Sequence, residues 1–379
     1  MSDATGIIRR LRNRYYRLHQ LIMAGRTGDA VALLSLITFV VVMRPLISSN
    51  LLLGYKAIAN TILVWMLFAT AFNLLLGYTG LLSFGHALFL GIGMYSIAII
   101  LSRFSTGLFF PAVLVALVTA GVVGYVIARL IVQKGDIYFA MLTIAFGEVG
   151  WYVANADIGG LTGGSDGIAI DVLPPWIESE LGEKFIVMGG LQIPLYWMTA
   201  TVFVVCVYLL FRIVRSPFGR TLIAIRENEE LARSIGINTT RYKVWAFTLS
   251  ALFTAIAGIM LELVKQGVTT NSLHWSTSGE VVMMTVLGGM SSFVGPMAGA
   301  FFWEFGADYL TSFQTLALPL SEFAIVTFDV KHLMEYWRFL FGFIFVLIIL
   351  TRPEDGAWGI FKNIIRWISK KINDLGGNQ

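Results

Sequence analysis

Apolar runs of near-spanning length recur along almost the whole chain, at about 29–47, 57–76, 81–102, 109–132, 137–154, 195–213, 244–264, 280–290 with 296–310, and 336–351. Nothing else limits the fold as strongly. A helix of about 20 apolar residues matches the hydrocarbon core of a bilayer, roughly 30 Å thick. Backbone polar groups at that depth must be satisfied inside helices or closed barrels. The chain is 57% hydrophobic and 13% charged, against about 45–50% and about 25% in soluble domains. The expected fold is therefore an all-α polytopic integral membrane protein, with about 8 full transmembrane helices plus one or two Gly/Pro-broken re-entrant segments.

Several function classes fall away. The one cysteine, Cys206, lies inside an apolar run, which excludes a disulfide or a thiolate metal site. His19, His86, His274 and His332 are scattered without ligand spacing, so no metal is expected. The formal net charge of +4 reflects basic loops beside a lipid bilayer, and no nucleic-acid partner is read from it. No cleavable signal peptide is expected, because the first apolar run begins near Ala30, is followed by Met43-Arg44-Pro45 and lacks a small-residue cleavage site.

Residues 1–28 read as a basic in-plane helix. Ile7, Ile8, Leu11, Tyr15, Leu18 and Ile22 share one face, and Arg9, Arg10, Arg12, Arg14 and Arg17 lie around the other. A frayed basic tail is the alternative. The tail 352–379 repeats the amphipathic device, with Trp358, Phe361, Ile364, Ile365, Ile368 and Ile372 opposite Lys362, Arg366, Lys370 and Lys371. Both termini are expected to be cytoplasmic. Basic residues gather in cytoplasmic connectors, and a count from an inside N-terminus puts Arg129 and Lys134 inside. It also puts residues 214–243 inside, with six Arg or Lys and three Glu. The loop at 155–194 then falls outside, carrying Asp157, Asp166, Asp171, Glu178, Glu180 and Glu183 against Lys184.

Two apolar runs are interrupted in a related way. L-L-G-Y-T-G-L-L-S-F-G-H-A (75–87) and V-L-G-G-M-S-S-F-V-G-P-M-A-G-A (286–300) both show Leu-Gly, then Ser-Phe, then Gly before His86 or Pro296. Irregular backbone at membrane depth must line a cavity or be buried in protein. Paired breaks in two halves of a transporter point to the permeation site. Gly288 and Gly289 in the second break are path candidates on this ground.

The polar island at 214–243 predicts a short helix flat beneath the membrane. Ser216-Pro217 suits a first turn; Leu222, Ile225, Glu229 and Ala232 follow at helical spacing, with Ile235 nearby, and Gly236 ends the element. A solvated loop that only enforces topology is the plainer reading.

E-L-A-R-S-I-G (230–236) resembles the E-A-A-x-x-x-G signature that ABC-importer permeases present to their ATPases. The wider run G-R-T-L-I-A-I-R-E-N-E-E-L-A-R-S-I-G-I-N (219–238) is similar to that of branched-chain amino-acid permeases of the LivM type. So are 77–87, Y-F-A-M-L-T-I-A-F (138–146), T-G-G-S-D-G (162–167), S-G-E-V-V-M-M-T-V-L-G-G-M (278–290) and V-G-P-M-A-G-A (294–300). The I-x-L-P tail of the generic signature is missing, with Ala246-Phe247-Thr248-Leu249 in that region.

The resemblance implies a non-enzymatic permease domain at 29–351 in a bacterial inner membrane. Its partners would be a second homologous permease, two ATP-binding subunits and an extracytoplasmic solute-binding protein. No phosphate-cradling G-x-x-x-x-G-K-[ST] loop is present, so ATP would be bound by partner chains and no cofactor by this one. Arg220, Arg226, Glu227, Glu229, Glu230, Ala232, Arg233 and Gly236 would form the ATPase-coupling element. Thr162, Gly163, Gly164, Ser165 and Asp166 become path or gate candidates, against an ordinary Asx-type turn. Glu148, a carboxylate within an apparent span, is a site candidate in its own right, against a snorkelling or helix-paired glutamate. His86 is weighed as a path residue against a packed core histidine. The expected cargo is a branched-chain or other small amino acid. Urea, short amides or aromatic acids carried by the same machine stay open, as does an ion-coupled secondary transporter.

Overall fold

The computed structural model describes residues 34–43, 58–170, 195–312, 315–321 and 324–329, with single positions at 339, 342, 343, 346, 347, 350 and 356. The chain divides into two compact units, Met1–Ala59 and Asn60–Gln379. In the first, the described element is a short helix, α1, Leu34–Met43.

The second unit is a helical bundle. Its long members are α2 (Ile58–Thr79, begun at the end of the first unit), α3 (Ala87–Arg103), α4 (Phe109–Ile131), α5 (Asp136–Asn155), α6 (Leu195–Arg215) and α9 (Thr239–Lys265). Between α6 and α9 lie two short helices, α7 (Pro217–Glu227) and α8 (Glu229–Ser234). After α9 come α10 (Trp275–Gly288) and α11 (Gly295–Ser312). Five of the described helices, α2, α4, α5, α6 and α9, are long and apolar enough to cross a membrane. The expected first span at 29–47 contains only α1 among the described residues, and most of the last, at 336–351, falls outside them. The terminal segments 1–28 and 352–379 also lie outside, apart from Gly356.

Small residues decide where the helices meet. Hydrocarbon tails are as apolar as leucine, so helices in a bilayer associate by close packing instead of by escape from solvent. Helix α4 carries Ala112, Ala116, Ala120, Gly124 and Ala128 at every fourth position, and all are buried. Its other face presents Phe110, Leu114, Val118, Val122 and Val126, all exposed. The stripe fits α9 through Gly124, where an added Cβ would meet the Ala251 methyl. Helix α9 runs parallel to α3 at close range: a Cβ on Gly93 would collide with the Ala255 carbonyl, and one on Gly258 with that of Leu90. Helices α2 and α9 are the most buried of the five spanning helices, and the core sits around them.

Two short β ladders correct the all-α expectation. Ile168 and Ala169 (β1) pair antiparallel with Val268 and Gly267 (β2), tying the loop after α5 to the end of α9. Thr315–Ser321 (β3) and Ala324–Asp329 (β4) form an antiparallel hairpin with Leu318 opposite Val326. Neither ladder was signalled by alternation of apolar and polar residues. β1 and β2 are only two residues each.

Gly258→Ala is expected to lower the stability of the detergent-solubilised protein by about 1–3 kcal/mol, the usual scale of overpacking. Gly279→Ala, at a helical position with open space around it, should leave it unchanged or slightly raised. Thermal unfolding of the two variants side by side checks the pair.

Candidate functional site

The polar loop is folded against the bundle. Ser216 caps α7, its Oγ accepting from the Gly219 N–H at 3.4 Å, and Pro217 occupies the first turn. The single helix expected here is in fact two. Asn228 adopts extended backbone at φ −159°, ψ 101°, and its Oδ1 accepts from the Leu231 N–H at 2.9 Å to start α8 anew. Gly236 then leaves at φ +89°, a conformation that an L side chain resists. Asn238 caps α9, accepting from the Arg241 N–H at 3.1 Å.

The faces sort by burial. Leu222, Ile225 and Ala232 are buried, so the apolar face read from the sequence is the one pinned to the protein. The exposed apolar side chains are Ile223, Leu231 (61% exposed) and Ile235 (70%). Arg220, Glu227, Glu230 and Arg233 are exposed beside them.

Glu229 and Arg226, also among the coupling candidates, are half-buried and bonded within the chain. Glu229 accepts from Lys243 Nζ at 2.6 Å, from the Thr239 hydroxyl at 2.9 Å and from Arg233 at 2.8 Å. Burial disfavours its charge, but the hydrogen bonds from Lys243 and Thr239 and the charges of Lys243 and Arg233 outweigh it. The carboxyl is held below the usual glutamate value. Arg226 donates to the Gly77 carbonyl at the end of α2.

The first broken segment is buried irregular backbone. Helix α2 closes at Gly80 (φ +76°), whose N–H reaches the Leu76 carbonyl at 3.2 Å. Leu81, Ser83 and His86 are then buried. The Phe84 N–H donates to the Thr143 hydroxyl at 3.1 Å. His86 is wholly enclosed, with Phe72, Phe89 and Phe247 edge-on at 5.1–5.7 Å. Its Nε2 lies 2.9 Å from Ser250 Oγ, which donates to the Ala71 carbonyl at 2.7 Å. The Ser250 proton is thereby used, so the hydrogen-bond partners assign the ring hydrogen to Nε2 and leave Nδ1 to accept from Ser83 Oγ at 2.8 Å. His86 thus clamps α2, the break and α9 together.

The second break is a helical hairpin. Cβ atoms on Gly288 and Gly299 would collide with backbone of the facing helix, so α10 and α11 pack back to back in opposite directions. Helix α10 has 14 residues, about 21 Å at 1.5 Å per residue, short of the roughly 30 Å core. Gly289 forms the turn at φ +103°. The breaks touch: Asn73 Nδ2 donates to the Ser292 carbonyl at 3.3 Å, and a Cβ on Gly77 would strike the Met290 carbonyl.

At the other end of the long helices, Asp157 organises residues 162–167. It accepts from the N–H groups of Thr162 (2.8 Å) and Gly163 (3.0 Å). The Thr162 hydroxyl donates to the Ala154 carbonyl at 2.6 Å and lies 3.0 Å from the same carboxylate. The Thr162 N–H above all, with the Thr162 hydroxyl, the Gly163 N–H and the nearby Arg103 charge, holds this carboxyl below its ordinary value. Gly163, Gly164 and Gly167 have positive φ, and Ser165 and Asp166 are exposed. Glu148, half-buried on α5, has a buried Oε1 without a hydrogen-bond partner among the described residues.

Sequence reasoning missed Glu262. It is fully buried on α9 with both carboxyl oxygens unpartnered among the described residues, as is the Tyr95 hydroxyl. The signal was available: Glu262 is the one acidic residue in the run 244–264. Asp157 was also readable as an Asx-turn residue ahead of the glycines. Ser250 was not, nor was the Gly77 partner of Arg226, because these pairings are distant in the chain.

Five helices long and apolar enough to cross a membrane, two Gly-rich breaks and a charged loop packed against the bundle fit a polytopic membrane protein. The chain belongs to the family described as branched-chain amino acid transport system / permease component, which matches residues 54–349. It is 27% identical over 321 residues to the high-affinity branched-chain amino acid transport system permease protein LivM of Salmonella typhimurium, covering 79% of this chain and 69% of the relative. The LivM protein of Escherichia coli is 26% identical over 318 residues with the same coverage. The Escherichia coli L-arabinose transport system permease protein AraH is 35% identical over 116 residues, 29% of this chain and 33% of the relative. No solved structure matches the chain. The protein is a permease of the ABC transport class, and these relatives are transport permeases.

Because the Glu229 carboxyl is held low, its ion pair contributes above the ordinary glutamate value of 4.5 and is lost only as pH falls through the depressed value. Protection of the amides across residues 229–243, relative to their intrinsic exchange rates, is expected to hold at pH 5 and to be lost progressively as pH falls below 4.5 toward the depressed value. In Glu229→Gln, which leaves the nearly buried Lys243 unpaired, protection should be weak in both ranges.

Proposed function

We propose that this chain is one of the two translocating permeases of an ATP-driven importer for branched-chain or other small amino acids. The observation that carries the reading is the exposed patch of Ile223, Leu231 and Ile235 among Arg220, Glu227, Glu230 and Arg233. It sits on a loop whose other face is anchored by Leu222, Ile225, Ala232 and the Glu229–Lys243 pair. Apolar side chains held out among charges, on a rigid mount, suit a protein partner better than a solvated connector does. That partner is an ATP-binding subunit, two of which drive the complex. A second permease completes the path and an extracytoplasmic binding protein supplies the solute.

The loop lies on the cytoplasmic side of the inner membrane, as do both termini, and residues 162–167 lie outside. Helix α9, with 27 residues, extends about 40 Å between the two ends. Helices α10 and α11 form a re-entrant hairpin, since α10 is too short to span. Glu148, on a helix left largely uncovered within this chain, lines the path, and Gly288 and Gly289 support it as the buried turn of the second break. Thr162, Gly163, Gly164, Ser165 and Asp166 form an outer gate hinged on Asp157. His86 is a structural clamp and does not contact solute. The amino-acid cargo rests on the LivM relatives, which cover far more of the chain than AraH does.

The double variant Leu231→Glu, Ile235→Glu should weaken co-purification of the ATP-binding subunits by at least about tenfold, the scale of losing buried interface anchors. In liposomes the assembled complex should take up leucine only with ATP inside. Uptake by this chain alone, driven by an ion gradient, would sink the importer reading and turn attention to Glu148 and Glu262. Binding of leucine, urea and aromatic acids by the partner solute-binding protein settles the cargo.

A further inference from the structure

We propose that Arg226 is a positioning residue that links movement of the coupling loop to both Gly-rich breaks. The proposal rests on the docking reading above but assigns Arg226 a different part from the exposed charges around it.

The last carbonyls of a helix lack intrahelical partners and form the negative end of its dipole. Gly77 is in the last turn of α2, and the Arg226 guanidinium donates to its carbonyl. The arginine stem passes over Gly80: a Cβ there would stand 3.3 Å from Arg226 Cγ, and φ is +76°. That glycine therefore both turns the chain out of α2 and leaves room for the arginine. The same turn of α2 meets the second break on another side, through Asn73 to the Ser292 carbonyl and through Gly77 against the Met290 carbonyl. Residues 73–80 are thus held between the coupling loop and residues 290–292. Leu222 and Ile225, buried on the same helix as Arg226, keep its backbone in place.

A displacement of α7 cannot leave this turn undisturbed. Either the Gly77 carbonyl follows the guanidinium, carrying Asn73 and the second break with it, or a charge-assisted bond breaks and a half-buried arginine loses its partner. Arg226 transmits the motion because its polar end reaches from the loop to the break.

The test uses the complete importer in liposomes, comparing solute moved per ATP hydrolysed with co-purification of the ATP-binding subunits. In Arg226→Gln the ratio should fall about tenfold, the scale of one hydrogen bond to a charged donor, while the complex still assembles. Arg226→Lys, which keeps a cationic donor of similar reach, should recover the ratio to within about threefold. Gly80→Ala, which strains the turn at φ +76° and presses on the arginine stem without removing charge, should lower the ratio as Gln does. An unchanged ratio in Arg226→Gln and Gly80→Ala overturns the proposal. So does loss of assembly in step with the ratio, or failure of Lys to rescue, since these mark a docking or purely structural residue. The Leu231→Glu, Ile235→Glu variant tests docking separately: if it assembles normally, the docking reading fails whatever Arg226 does.

Discussion

Close approach of α9 to α3 and α4 is the contact on which the rest of the bundle depends. In a bilayer it must come from backbone proximity, because lipid competes on equal terms for every large apolar side chain. The Ala/Gly stripe on α4 and the glycines at 93 and 258 supply that proximity. The consequence inverts a soluble protein: Phe110, Leu114, Val118, Val122 and Val126 of α4 face outward, and its alanines are enclosed. With the three helices fixed, α9 becomes a rigid strut joining the charged loop to residues 162–167, and the breaks can be arranged around it.

Polar groups in such a core have few ways to be satisfied, and His86 shows one of them. The chain from Gly85 through Ser83, His86 and Ser250 to the Ala71 carbonyl uses each donor once. It holds the irregular backbone of the first break in place. The second break relies on glycine-to-backbone contact instead, between Gly288, Gly295 and Gly299. Two segments alike in sequence are therefore stabilised by different means, and they meet at Asn73 and Gly77. Fixed charge on the loop does the remaining work: Glu229 is committed to Lys243, Thr239 and Arg233, which leaves Arg220, Glu227 and Glu230 on the surface.

Much was legible in the chain. Its apolar runs, the two Gly-rich interruptions, the Ser216-Pro217 start and the Gly236 stop can all be read without coordinates, since each is a local matter of length, φ or capping. The break at Asn228 was less so, because an asparagine flanked by glutamates on a helical period does not announce a new cap. Periodicity placed Leu222, Ile225 and Ala232 on one face correctly but not which way that face points. It points inward, and the exposed residues Ile223, Leu231 and Ile235 occupy the other side.

The amino-acid sequence by itself determined the membrane class, the basic loop between α6 and α9 and the family, because hydropathy, charge placement and motif spacing are properties of the chain. Only the tertiary structure decided which charges are used and where. Arg226 and Gly77 are 149 positions apart, and His86 and Ser250 are 164. Pairings at such separation follow from how helices cross, and no local pattern encodes them. Glu229 looks like any exposed helix charge until Lys243, brought beside it by the turn into α9, takes it inward.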